Sequence, residues 1–322
     1  MNGRASLLNK ASFLNHQRCC CCSCRDKIVN LHPSRKNVMK SNFIKRIFSG
    51  ALYIALIVSA ILLLDNSPVM YLLLFSLFIV LGIGEMITMA KDDASQSWLV
   101  NVIDMLGGVG LFVAFYMHYE GETMQSRALW LLPITVYLLL RTIVQLYRPQ
   151  QNALHSLERS FFSLGYVALP IAFLNVIMSI TAPRLLLGMF MFIWLYDTGA
   201  YCVGVLLGRH RLFERISPKK SWEGVIGGVA VCIAGAYLTY YQPLLNNFFQ
   251  VPDLTIWVGL SVVVAVFSTF GDLVESLIKR TVGVKDSGHI LPGHGGILDR
   301  IDSLLLVAPA VLIYLMLIVP NI

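Results

Sequence analysis

From Ile47 to its C-terminus the chain is a succession of apolar runs, each close to the roughly 20 residues a helix needs to cross about 30 Å of hydrocarbon. Nine such runs stand at about 47–64, 69–87, 97–117, 129–147, 160–180, 185–207, 223–241, 256–277 and 302–319. Segments in lipid must satisfy their backbone groups internally, and these runs are continuously apolar rather than alternating, so helices are expected and a barrel is not. The fold class predicted is all-α, a polytopic transmembrane helical bundle of about nine spans. Only 13% of the residues are charged, about half the share usual in soluble domains. The connections between runs are too short to hold a soluble core, so residues 47–322 read as one integral membrane domain.

The net charge of +7 is concentrated at one end. Residues 1–46 hold ten Lys or Arg against one acid, while the rest of the chain holds fifteen basic and seventeen acidic residues. Residues 1–46 therefore read as a disordered, basic, Cys-containing tail touching anionic lipid, and no recognition module argues for nucleic acid. With the N-terminus in the cytoplasm, 22 Lys or Arg fall on the inner side and only Arg127 and Arg184 on the outer. The positive-inside rule then sets the N-terminus and the charge-rich loops on the cytoplasmic face. The cysteines at 19–22 and 24 lie on that reducing side, where a disulfide framework is not expected. Met39, followed by a compact basic lead-in, is an alternative start.

Polarity inside the runs is uneven. Glu85, Asp104 and Arg141 are isolated in the first five and are expected to pair between helices or to snorkel. Asp197 interrupts the sixth run, in WLYDTGAYCVGVLLGRH, and must be paired, hydrated or bound to a cation. In the loop that follows, Ser217 is expected to cap a helix opening at Pro218. Lys219, Lys220 and Ser221 would then stand at the positive end of its dipole, which suits phosphate.

The densest charge lies in 271–303, GDLVESLIKRTVGVKDSGHILPGHGGILDRIDS. On a helix Asp272, Glu275, Ser276 and Lys279 share one face at spacings of three and four, and such a face cannot meet lipid. Arg280, Lys285 and Asp286 follow, then a loop in which Pro292, Gly293, His294, Gly295 and Gly296 allow tight turns and close backbone approach to a ligand. Asp299 and Asp302 are expected to face the same way at the start of the last span. Carboxylates from two helix ends beside a cationic glycine loop suit a hard cation, Mg²⁺ above all, bridging substrate phosphates. The lysines and arginines would neutralise phosphoryl oxygens. The chain has no GxxxxGK followed by Ser or Thr, no GxGxxG after a strand and no HExxH. His289 and His294 lack the cysteine partners of a zinc site and read as loop or phosphate contacts.

At these residues the chain resembles the phosphatidate cytidylyltransferases, or CDP-diacylglycerol synthases. The signature stands here as Ser276, Lys279, Arg280, Lys285, Asp286, His294, Gly295, Gly296, Asp299, Arg300 and Asp302, with further likeness at Asp197 with TGAY, at SPKKSWEG and at GDLVES. The resemblance spans about 45–322 and leaves the tail unexplained. It implies that the phosphate of phosphatidate attacks the α-phosphorus of CTP, giving CDP-diacylglycerol and pyrophosphate. It implies Asp272, Asp299 and Asp302 as ligands of Mg²⁺, with a monovalent cation as a candidate neighbour. Lys279, Arg280, Lys285 and Arg300 would hold phosphates, and Ser276 and Asp286 belong to the same catalytic set. Asp197, Ser217, Lys219, Lys220, Ser221, His294, Gly295 and Gly296 would complete the substrate pocket. The implied setting is the cytoplasmic face of a bacterial membrane, with a homodimer among the open oligomeric states. The rival readings are CTP-dependent activation of an isoprenoid-ether lipid phosphate and, from another class, an ion-coupled transporter, since intramembrane acids also occur in carriers.

Overall fold

The computed structural model describes residues 35–64, 67–89, 98–120, 131–148, 152–181, 183–251, 253–288 and 295–318. The chain divides into two units, 1–45 and 46–322, and the site lies wholly within the second. The helices are α1 (Arg35–Leu62), α2 (Val69–Met89), α3 (Trp98–Glu120), α4 (Leu131–Leu146), α5 (Ala153–Ser163), α6 (Leu169–Ile180), α7 (Pro183–Leu207), α8 (Trp222–Tyr241), α9 (Pro243–Phe249), α10 (Leu254–Thr281) and α11 (Leu298–Ile318). Each of the nine expected runs overlaps a helix among the described residues. Among the described residues seven stretches are long and apolar enough to cross a membrane, with Ala153–Ile180 counted as one, while the apolar helices Ser49–Leu62 and Leu131–Leu146 are shorter. The helical, multi-pass class is as expected. The first helix begins at Arg35, ahead of the expected 47; the leader 1–34 with its cysteine run, the connector 91–97 and the loop residues His289, Pro292, Gly293 and His294 lie outside the described residues.

A π-helical turn, Leu164–Ala168, joins α5 to α6. Pro170, in the first turn of α6, has no amide to return to the carbonyl four residues back, so the ladder widens there.

One expectation for the loop after α7 is overturned. Ser217 caps no helix: residues Arg211–Phe213 (β1) and Ser217–Ser221 (β2) form an antiparallel hairpin with Arg211 opposite Ser221 and Phe213 opposite Ser217. The amide of Trp222 closes it onto the carbonyl of His210 at 3.0 Å. The cap is Ser221, whose hydroxyl accepts from the amide of Gly224 at 3.2 Å, so α8 opens at Trp222. Residues 217–221 are extended because their backbone groups serve the hairpin.

Helix α8 packs along α7, and α10 along α11. Ala200 and Gly204 on α7 meet Gly224 and Gly228 on α8, two small residues four apart on each helix. A Cβ on Gly224 would stand 2.9 Å from the carbonyl oxygen of Ala200. Small residues let the backbones approach this closely where lipid supplies no hydrophobic drive for association.

Away from that layer, α3, α4 and α5 enclose a satisfied polar cluster. Arg141 is fully buried and donates from Nε to Ser160 Oγ at 2.9 Å, from Nη1 to Gln145 Oε1 at 2.9 Å and from Nη2 to Ser156 Oγ at 2.8 Å. Its Nε also lies 3.4 Å from Asp104, which accepts from Tyr137 at 3.0 Å and Ser160 at 2.6 Å. Pairing between helices, expected of these two charges, is what they do.

Candidate active site

The polar face of α10 forms as its spacing requires. Glu275 is completely buried, and Ser276 and Lys279 are nearly so, while Asp272 keeps an open side. Ser276 donates its hydroxyl to Asp272 Oδ1 at 3.2 Å, and Lys279 Nζ donates to Glu275 Oε2 at 2.5 Å. A buried carboxylate one turn below a buried ammonium is tolerable because each charge answers the other.

The same ammonium reaches across to Asp299 Oδ1 on α11 at 2.6 Å. The other oxygen of Asp299 accepts the amides of Ser287 at 3.1 Å and Gly296 at 2.9 Å, one from each side of the connecting loop. Gly295 has φ +79°, a left-handed conformation that only glycine adopts freely, and it turns the chain into this contact. Asp299 is therefore the point where helix α10, helix α11 and the loop between them meet.

A residue that the sequence did not mark as functional holds the loop from behind. Glu85, near the end of α2 and 3% exposed, accepts the amide of Ile297 at 2.8 Å, the amide of Leu298 at 2.9 Å and the hydroxyl of Ser287 at 2.8 Å. Gly288 and Gly296 lie so close to its carboxylate that a Cβ on either would collide with it.

The third contribution comes from α7 and the hairpin. Lys220 Nζ pairs with Asp272 Oδ2 at 2.7 Å, bringing β2 onto α10. Ser221 is buried in its capping role, and Lys219 is exposed on the same strand. Glu223 folds the chain after α7 over this end, accepting the amide of Arg209 at 3.1 Å and His210 Nδ1 at 2.6 Å. Asp197 lies within electrostatic reach of Asp272, Lys220 and Arg300.

Asp302, one turn beyond Asp299, completes the group. Its Oδ1 accepts the amide of Ser303 at 2.7 Å, and it lies in the field of Asp272, Glu275 and Asp197. Gly271 allows this, since a Cβ there would press into the backbone of Asp302 and Ser303. Five acids from three helices, Asp197, Asp272, Glu275, Asp299 and Asp302, thus share one region with the cations of Lys220, Lys279 and Arg300. The hydroxyl of Tyr166, carried by the π-turn, is buried without a hydrogen-bond partner among the described residues and lies in the field of Glu275, Asp302 and Asp272. Its sequence signal was only an aromatic residue in an apolar run.

A crevice of about 210 Å³ opens onto Asp197, Asp299, Arg300 and Asp302, and its other wall is apolar, with Ile54, Phe190, Ile193 and Trp194. Such a crevice can take a ligand with a charged end and an apolar end. Of the remaining expected residues, Arg280 is exposed and reaches back to the carbonyl of Val284 at 3.3 Å. Lys285 and Asp286 are exposed on the edge of a separate cavity of about 770 Å³ between α2, α3 and the loop. Ser217 lies at the far end of the hairpin from Ser221, and His294 is outside the described residues.

The oxygen-rich donor set fits a hard cation, and Glu275 Oε1 is buried without a partner among the described residues. No three acids, cysteines or histidines among the described residues converge as a ready metal cage. That also fits Mg²⁺, which commonly binds through one or two carboxylates and completes its shell with water and substrate phosphates. Both oxygens of Asp299 are engaged by Lys279 and two amides, and both of Asp272 by Ser276 and Lys220, but Asp272 is 39% exposed against 12% for Asp299 and is the more accessible of the two.

A family model described as the cytidylyltransferase family matches residues 44–318. The chain is 33% identical over 260 residues to the phosphatidate cytidylyltransferase of Staphylococcus aureus (strain COL), covering 80% of this chain and 93% of that relative. It is 49% identical over 122 residues to the phosphatidate cytidylyltransferase of Staphylococcus haemolyticus (strain JCSC1435), covering 37% of this chain and 44% of the relative. With the protein of the same name from Staphylococcus epidermidis (strain ATCC 12228 / FDA PCI 1200), identity is 48% over 128 residues, 39% of this chain and 46% of the relative.

Proposed function

The chain belongs to the cytidylyltransferase family, and from that membership we infer that it transfers the cytidylyl group of CTP to phosphatidate. The observation that carries the reading is the meeting of Asp197, Asp272, Glu275 and Asp302 with Lys220, Lys279 and Arg300 beside a crevice that is charged at one end and apolar along its wall. A lipid phosphate needs both surfaces in one place, and a nucleoside triphosphate needs the charged one.

The reaction balances without a redox step. A phosphate oxygen of phosphatidate forms a bond to the α-phosphorus of CTP. The bond from that phosphorus to the α,β-bridging oxygen breaks, and pyrophosphate leaves with the electron pair. The nucleophile is already an anion at neutral pH, so a strong general base is not required. The work left to the protein is alignment and neutralisation of charge. Arg300 at the crevice mouth and Lys220 on the hairpin are placed to hold phosphoryl oxygens, while Lys279 keeps Glu275 and Asp299 from repelling those oxygens. Arg280, Lys285 and Lys219 are exposed and would add cationic surface for the triphosphate. The apolar residues Phe190 and Trp194 admit the acyl end and exclude water from it.

Asp272 and Asp302 would hold Mg²⁺, with Asp299 acting through Lys279 and the loop. When bound, Mg²⁺ neutralises charge that develops on the triphosphate. The site faces the cytoplasm, where CTP is, and the N-terminus lies on the same side. This orientation rests on the distribution of Lys and Arg. Residues 47–322 form the catalytic membrane domain, and the basic tail serves as a lipid-contacting leader with no nucleic-acid partner.

The test is direct. Purified protein in lipid nanodiscs, given CTP, phosphatidate and Mg²⁺, should release pyrophosphate and form CDP-diacylglycerol in equal amounts. Absence of both products from folded protein would sink the reading. Competition between diacyl and isoprenoid-ether lipid phosphates in that assay fixes the lipid class.

A further inference from the structure

Glu85 belongs to none of the groups that face the crevice, yet its carboxylate receives three hydrogen bonds from the two arms of the site loop. We infer that Glu85 is a positioning residue, which clamps the loop between α10 and α11 so that the loop's amides hold Asp299 in place.

The geometry forms a relay in two layers. Ser287 gives its hydroxyl to Glu85 and its amide to Asp299. On the other arm Gly296 gives its amide to Asp299, while the next two amides, Ile297 and Leu298, go to Glu85. Each arm thus lies between two carboxylates, one on either side. The outer one fixes the arms relative to α2, and the inner one is fixed by them.

Bonds to an ionised acceptor are about twice as strong as neutral ones, and the low local dielectric strengthens them further. The carboxylate also stands at the first turn of α11, where the helix dipole favours a negative charge. The side chain is 3% exposed, and its three bonds occupy both oxygens, one on Oε1 and two on Oε2. Gly288 and Gly296 complete the argument, because both lie against Glu85 where a Cβ would displace it. A charge retained only to close the bundle would not need its partners divided between the two arms of a loop that ends on Asp299.

The inference rests on the cytidylyltransfer reading for its kinetic arm, so the test has a second readout that needs no turnover. Glu85→Gln keeps one acceptor oxygen and turns an NH₂ toward donors, which opens the clamp at nearly constant volume. In substrate-free nanodiscs, hydrogen–deuterium exchange of peptides covering 284–288 and 295–300 should rise by about tenfold, a modest local loss of protection, while peptides from α7 and α8 stay as in wild type. In assays of the same preparation kcat should fall by at least about tenfold, with KM for phosphatidate unchanged within about twofold. Ser287→Ala removes one of the three bonds and should move both readouts in the same direction by less, which keeps the test open if Glu85→Gln does not fold.

Exchange that rises uniformly over the bundle, or local exchange and kcat that both stay at wild-type values, would overturn the inference. If wild-type protein itself failed to turn over CTP and phosphatidate, the functional reading would fall, while the exchange result would still decide the clamp.

Discussion

Lys279 Nζ stands 2.6 Å from Asp299 Oδ1 and so ties the end of α10 to the start of α11. The same nitrogen also holds Glu275. One ammonium therefore answers two carboxylates in a region where Asp302 and Asp272 add further negative charge. Its removal leaves Glu275 and Asp299 without their shared cation, with the amides of Ser287 and Gly296 still on Asp299.

Lys279→Met is expected to abolish turnover and to lower stability by about 3–5 kcal/mol, the usual consequence of breaking a buried ion pair by removing one partner. Thermal unfolding in detergent and pyrophosphate release, measured on the same preparation, check both parts. A variant as stable as wild type would show that the carboxylates do not depend on this ammonium.

Asp299→Asn should also abolish turnover, for a different reason. Asn keeps one acceptor oxygen but presents an NH₂ either to Lys279 or to the amides of Ser287 and Gly296, so one of the two contacts must fail. The protein should still fold, because α10 and α11 remain packed along their length. A folded Asp299→Asn protein with near-normal kcat would remove Asp299 from the mechanism.

Much of this site is legible in the sequence because its residues are close together in it. Asp272, Ser276 and Lys279 lie three and four apart, and helical geometry alone puts them on one face. Asp299 and Asp302 add a second helix start within 30 residues. Glu85 was not legible as a loop clamp, since its partners lie more than 200 residues away and a single acid in an apolar run looks like any interhelical pair. The hairpin 211–221 was missed because its strands are too short to alternate, and Ser-Pro imitates a helix start. Tyr166 was missed because a hydroxyl without a partner has no sequence signature.

Metal dependence should be reversible. Chelation of Mg²⁺ is expected to stop turnover without unfolding the bundle, whose helices pack through apolar and small-residue contacts that need no cation. Asp272→Asn should raise the Mg²⁺ concentration needed for half-maximal rate by about tenfold or more, the effect of losing roughly 1.4 kcal/mol of binding. Asp272 also holds Lys220, so the same variant should loosen the hairpin. Full activity in metal-free buffer would exclude the cation and with it the proposed role of Asp272.

Arg141 supplies the contrasting case, a buried charge whose consequence should be stability alone. Its guanidinium is fully buried among Ser156, Ser160, Gln145 and Asp104, side chains carried by α3, α4 and α5. Among the described residues Arg141→Met leaves Asp104 with the hydroxyls of Tyr137 and Ser160, so the single variant should lose about 3–5 kcal/mol. Adding Asp104→Asn removes the uncompensated charge as well, and the double variant should recover most of that loss. Turnover per folded molecule should stay near wild type in both, because positioning at Asp299 passes through Glu85 and Lys279 and not through α4 or α5. A kcat that fell in the double variant despite restored stability would mean that the cluster communicates with the site along α3, against the division of labour between the two groups of buried charges.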